Sequence, residues 1–143
     1  MKIALISDVH LKNNLKERLN NLDKLFNSFI DLNINTVIIL GDLFDIECSE
    51  YIIFDNLAQK YNIIRFYILP GNHDDKLNQK YFTSKNIKVI DNPEIINFDN
   101  VNLFFLPYKD NSTMRESIEQ SNVIYDNINN LYLLSHGDVC GFN

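Results

Sequence analysis

Residues 36–45 read TVIILGDLFD, and this stretch decides the fold class. Its first five residues are apolar or β-branched, which is typical of a strand that is buried on both faces of a parallel sheet. Gly41 ends the strand, and two acidic residues, Asp42 and Asp45, follow immediately. A buried strand that leads directly into carboxylates favours an α/β fold with a polar site at the carboxyl end of its sheet.

Amphipathic helices and further strands are expected around this stretch. Apolar residues at helical spacing predict one helix over Leu15–Leu32 and a second over about Glu50–Tyr61. Buried strands are predicted before the first helix, at Ile3–Ser7, and after the second, at Ile63–Leu69. Strands that alternate with helices indicate βαβ units and a parallel sheet that is covered on both faces.

Beyond residue 86 the pattern changes. Short strands at Ile87–Ile90, Ile95–Phe98 and Val101–Leu106 are joined by Asp-Asn turns, which favours antiparallel pairing. A weaker helix is predicted over Thr113–Ser121, and Leu131–Leu134 is typical of a last strand. We read all of these elements as one continuous domain.

The composition excludes several classes of protein. The chain has 143 residues, of which 45% are hydrophobic and 22% charged, as expected for one folded domain. Its apolar runs fall far short of the ~20 residues that span a bilayer, so no membrane association is predicted. Two cysteines cannot form a disulfide scaffold, which favours a reducing cytoplasm. The net charge of −6 disfavours an exposed, purely electrostatic nucleic-acid binder but is compatible with an acidic site that holds metal ions.

Side chains that can carry chemistry follow four of the predicted strands. All three histidines of the chain lie in these four loops. Because loops at the carboxyl ends of strands meet in one crevice, we expect their side chains to converge. Asp, Asn and His are ligands suited to Mn²⁺, Fe²⁺ or Zn²⁺. In chain order, the loops supply Asp8 and His10, then Asp42 and Asp45, then Asn72, His73 and Asp74, and finally His136.

The spacing of these residues suggests how they would share two ions. Asp8 and His10 are alternate residues that leave a strand, so both can reach one ion. A carboxylate such as Asp42 can bridge two cations ~3.5–4 Å apart, as phosphoryl-transfer sites require. Asn72 offers a neutral amide oxygen, which adds no charge repulsion.

Each motif also has an ordinary structural interpretation. Asp42 alone is a suitable helix cap, and Asp45 or Asp74 would serve as solvated loop acids. His73, if it is not a ligand, would protonate the leaving oxygen or stabilise the phosphate, with Asp74 orienting its ring. The joint occurrence of the motifs, in order and at matching strand ends, favours the metal site.

In this order the motifs resemble the calcineurin-like metallophosphoesterase family, whose pattern is DxH, GDxxD, GNH plus an acidic residue, a later His, and GHxH. The first four elements match and span nearly the whole chain. The resemblance implies a four-layer αββα sandwich with two facing sheets and two divalent metal ions, Mn²⁺ first and Fe²⁺, Zn²⁺ or Mg²⁺ as alternatives. It also implies a role for each residue. Asp8 and His10 would bind the first metal, Asn72 and His136 the second, and Asp42 would bridge the two. His73 and Asp74 would be catalytic, and Asp45 would support the ligands from behind.

The final GHxH of the family pattern has no counterpart after His136 in this sequence. Asp138 and Cys140 are the remaining candidate ligands there, although a turn residue and a small buried apolar group are the simpler interpretations. We therefore expect residues 1–143 to be a single metallophosphoesterase domain, truncated at its C-terminal end and with an incomplete second sheet.

Within the family, residues 41–44, Leu103–Tyr108 (LFFLPY) and Leu134–Phe142 (LSHGDVCGF) most resemble the SbcD-type DNA repair and recombination nucleases. That resemblance implies a DNA exonuclease or endonuclease subunit with an SbcC-like ATPase partner. In the implied reaction, water activated by the metal ions attacks phosphorus in line while both cations neutralise charge on the phosphate oxygens.

Two alternatives remain open from the sequence. The same site would serve a phosphodiesterase or phosphatase that acts on nucleotides or other small phosphoesters, which the negative net charge favours. Alternatively, the chain is an inactive, truncated domain whose exposed sheet edge pairs with a partner chain or with a second copy as a homodimer.

Overall fold

The computed structural model describes residues 1–13, 16–121, 123–124 and 128–137. The elements are β1 (Ala4–Ile6), α1 (Lys16–Asp31), β2 (Thr36–Leu40), α2 (Ile52–Lys60), β3 (Arg65–Leu69), a 3₁₀ turn (Gln79–Tyr81), β4 (Ile87–Val89), β5 (Glu94–Phe98), β6 (Val101–Leu106), α3 (Met114–Gln120) and β7 (Leu131–Ser135). A first sheet has the order β1-β2-β3-β4 with every pair parallel, and a second has the order β5-β6-β7. In the second sheet β5 and β6 are antiparallel, and β6 and β7 are parallel. No helix within the described ranges is long and apolar enough to cross a membrane.

Strand β2 lies in the interior of the first sheet, as its unbroken apolar sequence predicts. Val37, Ile38 and Ile39 are fully buried. Alternate residues point to opposite faces, so Val37 and Ile39 pack toward the helices and Ile38 packs toward the second sheet. Burial on both faces explains why this strand is apolar throughout rather than alternating with polar residues.

Helices α1 and α2 cover one face of the parallel sheet. The apolar stripe of α1 buries Leu22, Phe26 and Phe29. The Phe26 ring lies 6.4 Å from the ring of Phe54 on α2 and 5.0 Å from the ring of Phe66 on β3. Both predicted helices are confirmed, and their described residues begin and end within two residues of the predicted bounds.

The other face of the parallel sheet packs against the second sheet. Ile38 and Leu69 from the first sheet and Phe98 and Phe105 from the second form this separate core. The Tyr67 ring meets the Phe98 ring edge to face, with 5.2 Å between centroids. The mixed α/β fold with two facing sheets, predicted from the sequence, is therefore confirmed.

Helix α3 is short and lies beside the ends of β6 and β7. Its first turn is closed by a capping box, in which Thr113 Oγ1 accepts from Glu116 N (3.2 Å) and the Glu116 carboxylate accepts from Thr113 N (2.8 Å). No residue of α3 is buried, so its inner face is not closely packed against the sheet.

The pairing of strand β4 differs from the sequence prediction. The pattern favoured antiparallel pairing from residue 87 onward, but β4 runs parallel to β3, with Phe66 opposite Ile87. The connection between the two strands contains a 3₁₀ turn instead of an α-helix, so the usual βαβ signal is absent. Asn86 Nδ2 instead donates to the carbonyls of Ala58 and Ile64, each at 2.9 Å, and fixes the start of β4 beside the end of α2.

Asp55 of α2 is a fully buried acid that holds the segment before β4. Its carboxylate accepts from Thr83 Oγ1 (2.6 Å), from Thr83 N (3.2 Å) and from Ser84 N (2.9 Å). Burial raises the pKa of Asp55, but the hydrogen bonds from Ser84 and Thr83 outweigh burial and hold that pKa below its usual value. The group is thus a structural anion that connects α2 to the chain leading into β4.

Candidate metal centre

The predicted site residues lie where strands β1, β2, β3 and β7 end. The first two loops are joined, because His10 N donates to the Asp42 carbonyl (2.9 Å) and Asp8 N donates to the Gly41 carbonyl (3.2 Å). Asp8, His10 and Asp42 all have positive φ, of 54°, 50° and 54°. This left-handed backbone is unfavourable for residues other than glycine, and residues held in it cluster at functional sites.

The Asp42 carboxylate lies in the middle of the group and is almost fully buried. Its Oδ2 is 3.8 Å from His10 Nε2 and 3.4 Å from His136 Nε2. Its Oδ1 accepts a hydrogen bond from His73 N at 2.9 Å. One carboxylate oxygen is therefore shared by imidazoles from two different loops, as a ligand that bridges two ions would be.

His136 presents a lone pair to two other acceptors. Its Nδ1 lies 2.9 Å from the Leu40 carbonyl, which can only accept, so in the neutral ring Nδ1 carries the proton. Nε2 then has a free lone pair, and it lies 2.9 Å from Asn72 Oδ1 as well as 3.4 Å from the Asp42 carboxylate. In this neutral tautomer three electron-pair donors converge, and either a cation or a second proton on His136 would relieve their repulsion.

Asp8 completes the group from the side of β1. Its Oδ1 is 3.9 Å from His10 Nε2. The donor atoms of Asp8, Asp42 and His136 lie within 4.8 Å of one another, and so do those of His10, Asp42 and His73. The residues predicted as ligands thus lie together: Asp8, His10, Asp42, Asn72 and His136.

His73 lies against the first of these ligands. Its ring meets the His10 ring edge to face, with 4.7 Å between centroids. Its Nδ1 is buried and has no hydrogen-bond partner among the described residues, although buried polar atoms are normally paired. His10 Nδ1 also lacks a hydrogen bond there, and it lies 3.8 Å from the Asp45 carboxylate, on the side of the ring away from Asp42.

Asp74 differs from its expected role. It was expected to orient the His73 ring, but its carboxylate accepts from three backbone N–H groups, those of Gly71 (2.7 Å), Phe44 (3.1 Å) and Asp42 (3.3 Å). Burial raises the pKa of Asp74, and these hydrogen bonds oppose the rise. Asp74 therefore joins the second loop to the third, and the sequence could not reveal this because backbone donors leave no residue pattern.

Asp45 lies behind His10, and its charge partner was missed by the sequence analysis. Asp45 Oδ2 is 3.8 Å from His10 Nδ1 and 3.1 Å from Lys12 Nζ. The hydrogen bond from Lys12 is the main reason that the pKa of Asp45 is held below its usual value. A lysine two residues after a candidate ligand is too common a pattern to have identified Lys12.

Two glycines allow the loops to approach this closely. A Cβ on Gly71 would lie 2.2 Å from Asp42 Oδ1 and 2.6 Å from Asp42 N. A Cβ on Gly41 would lie 2.2 Å from His136 Nδ1, and Gly41 also has a φ of +82°. Each glycine is therefore required by a ligand from another loop, in addition to the tight turn that it makes.

The donor set fits divalent cations. Carboxylate, amide and imidazole donors together suit Mn²⁺, Fe²⁺ or Zn²⁺. The two remaining candidates from the sequence, Asp138 and Cys140, lie outside the described residues.

Comparison with known proteins agrees with this geometry. The family model for calcineurin-like phosphoesterases matches residues 1–140. The solved structure of the nuclease MPE of Pseudomonas putida is similar in fold, with a TM-score of 0.50 and 21% sequence identity. The alignment covers 71% of this chain and 52% of that protein, so the chain spans about half the length of this structural relative. No curated protein matches the sequence.

Proposed function

The chain belongs to the calcineurin-like phosphoesterase family, a family of metal-dependent hydrolases, and from this premise we propose that it hydrolyses phosphodiester bonds in DNA. The proposed centre holds two divalent cations, with Asp8 and His10 on the first, Asp42 between them, and Asn72 and His136 on the second. We expect Mn²⁺ to be the preferred ion, with Fe²⁺, Zn²⁺ and Mg²⁺ to be compared with it. When bound, such ions lower the pKa of water and neutralise charge on phosphate oxygens.

One observation carries this proposal. Nε2 of His136 lies 2.9 Å from Asn72 Oδ1 and 3.4 Å from Asp42 Oδ2, while its Nδ1 lies 2.9 Å from the Leu40 carbonyl. An imidazole, an amide oxygen and a carboxylate from three different loops thus converge on one point. These are the donor types that divalent transition-metal cations bind.

The other residues of the site would orient and protonate the substrate. The His73 ring lies beside His10, with 4.7 Å between centroids, and in this proposal it hydrogen-bonds a phosphate or leaving-group oxygen of the substrate. Asp74 is a positioning residue, since its three backbone hydrogen bonds hold the loops that carry Asp42 and His73. Asp45 holds the opposite side of His10 together with Lys12.

The substrate and setting follow from the SbcD-type segments of the sequence. We place the activity in DNA repair or recombination in the cytoplasm, with an SbcC-like ATPase or a second copy of the chain as partner. The shared fold with a solved nuclease is compatible with a DNA substrate. The net charge of −6 favours the second candidate, a phosphoesterase that acts on nucleotides or other small phosphoesters.

Metal binding and hydrolysis test the proposal together. Mn²⁺ binding is measured by electron paramagnetic resonance for the wild type, for Asp42→Asn and for the matched control Asp31→Asn, an exposed acid of α1. We expect Asp42→Asn to weaken Mn²⁺ binding by about tenfold or more, as is usual around a metal site, and the control to bind as the wild type does.

The same proteins are then assayed with Mn²⁺ on bis-p-nitrophenyl phosphate, single-stranded DNA and duplex DNA. Equal Mn²⁺ binding by Asp42→Asn and Asp31→Asn would overturn the metal centre. Cleavage of small phosphodiesters without any cleavage of DNA would replace the first candidate function with the second.

A further inference from the structure

A cleft of about 720 Å³ lies between α3 and the ends of β6 and β7. We call it the α3 cleft and define it by its lining residues Leu106, Tyr108, Met114 and Ile118, together with Ser135 to Gly137. Its volume falls within the range of about 300–1,000 Å³ that is typical of small-ligand sites. The cleft is therefore large enough for one nucleotide.

The α3 cleft shares one residue, His136, with the candidate metal centre. His136 lines the cleft, and its Nε2 lies near Asp42 and Asn72. Tyr108 lies at the junction, since its backbone N–H donates to the Pro70 carbonyl (3.4 Å), directly before the loop that carries Asn72. The cleft and the metal centre are therefore neighbours, connected by His136 and by the contact between Tyr108 and Pro70.

The lining of the cleft suits a nucleoside. The phenol ring of Tyr108 offers a face on which a base can stack, and Met114 and Ile118 supply apolar surface from α3. Ser112 and Ser117, whose hydroxyls lie 3.2 Å apart, offer hydrogen-bond groups along the same wall. Lys109 donates to the neutral Gln120 side chain (3.0 Å), so its charge remains available to an anionic group at the outer end.

We propose that the α3 cleft holds the nucleoside attached to the scissile phosphate, with its base stacked on Tyr108. The inference rests on the proposed function, because it places the phosphate of the substrate at the metal centre. A base that enters the cleft must leave the stack of a duplex. The site therefore favours single strands and frayed ends over continuous duplex DNA.

The test measures binding of the fluorescent nucleotide 2-aminopurine deoxyriboside 5′-monophosphate, whose emission is quenched by stacking. Ile118→Trp fills the cleft, and the matched control Ile63→Trp adds the same side chain at an exposed position elsewhere. Because the chain has no tryptophan, each new indole also reports on its own surroundings. We expect binding with quenching in the wild type and in Ile63→Trp, and weakening by about tenfold or more in Ile118→Trp.

A second pair of variants, at Tyr108, tests the same cleft by removing a side chain instead of adding a larger one. Tyr108→Ala should lose about tenfold or more in nucleotide binding, since stacking on an aromatic ring is lost, whereas Tyr108→Phe should retain it. Unchanged nucleotide binding in both Ile118→Trp and Tyr108→Ala would overturn the proposal. Full competition by inorganic phosphate at the concentration at which the nucleotide itself binds would also overturn it, because the base would then contribute nothing.

Mn²⁺ binding by the same proteins separates this inference from the proposed function. If the wild type binds Mn²⁺ and hydrolyses bis-p-nitrophenyl phosphate but shows no base-dependent binding, only the α3 cleft is rejected. If it shows neither Mn²⁺ binding nor hydrolysis, the proposed function fails, and quenching that depends on Tyr108 would still identify the cleft as a nucleoside site.

Discussion

Replacing Gly71 by alanine should damage the candidate metal centre although no ligand residue is replaced. The added Cβ would lie 2.2 Å from Asp42 Oδ1, 2.6 Å from Asp42 N and 2.9 Å from Asp42 Cγ, where ordinary contact begins at 3.4 Å. Rotation of the Asp42 side chain cannot relieve the clash with its backbone nitrogen, so the two loops must separate. Overpacking of this kind costs about 1–3 kcal/mol in the free energy of unfolding.

The same change should also weaken metal binding. Separating the loops displaces the carboxylate that lies between His10 and His136 and breaks its hydrogen bond from His73 N. Changes that misplace a ligand typically weaken metal binding by about 10–100-fold. We expect Gly71→Ala to lie in this range by electron paramagnetic resonance with Mn²⁺, and to have a lower midpoint of urea unfolding.

A double-mutant cycle tests the reason given for these losses. Two of the three close atoms belong to the Asp42 side chain, so Gly71→Ala should cost less stability in an Asp42→Ala background than in the wild type. Equal costs in the two backgrounds, or wild-type Mn²⁺ affinity in the single variant, would refute the steric argument.

Three further predictions concern other parts of the molecule. Gly41→Ala would place its Cβ 2.2 Å from His136 Nδ1 and would strain a φ of +82°, so it should weaken Mn²⁺ binding through the second loop; unchanged binding would contradict the close approach. Phe26→Ala should destabilise the helix-facing core by about 3–5 kcal/mol in urea unfolding, with no direct effect on the metal site. Asp55→Asn should cost about 2–4 kcal/mol at pH 7, because a buried, charge-assisted acceptor of several hydrogen bonds is lost. Because the folded pKa of Asp55 is lowered, its ionised form contributes stability above the unfolded pKa of about 3.9, and that contribution disappears as the pH falls through the lower folded pKa. The stability difference between the wild type and Asp55→Asn should therefore shrink in strong acid, and a constant difference from pH 7 to pH 2 would contradict this assignment.

The direction of β4 illustrates what local pattern does not contain. Its sequence is compatible with parallel and with antiparallel pairing. A strand of three residues is too short to show a pattern of apolar and polar residues that would distinguish the two. The pairing is decided by burial against β3 and by Asn86, which donates to the carbonyls of Ala58 and Ile64. By contrast, β2 could be predicted because burial on both faces selects an unbroken apolar run.

The contacts of Asp74 at the site were likewise not contained in the local sequence pattern. Its position after Asn72 and His73 suggested a partner for the imidazole ring, but its carboxylate instead binds the backbone N–H groups of Gly71, Phe44 and Asp42. Side-chain to backbone contacts can be made with any residue type, so no sequence pattern records them. Lys12, which binds Asp45, was missed because a single lysine near a strand end has no distinctive spacing.

The sequence by itself determined which chemistry this protein can carry. The residue types after each strand, and the rule that loops at the carboxyl ends of strands converge, were sufficient to predict a metal-binding group of side chains. The resemblance to the phosphoesterase family then selected Asp8, His10, Asp42, Asn72 and His136 as the candidate ligands. Only the tertiary structure decided how their protons and lone pairs are arranged. The hydrogen bond that commits one nitrogen of His136 runs to a backbone carbonyl 96 residues earlier in the chain, and contacts over such distances depend on how the two sheets pack.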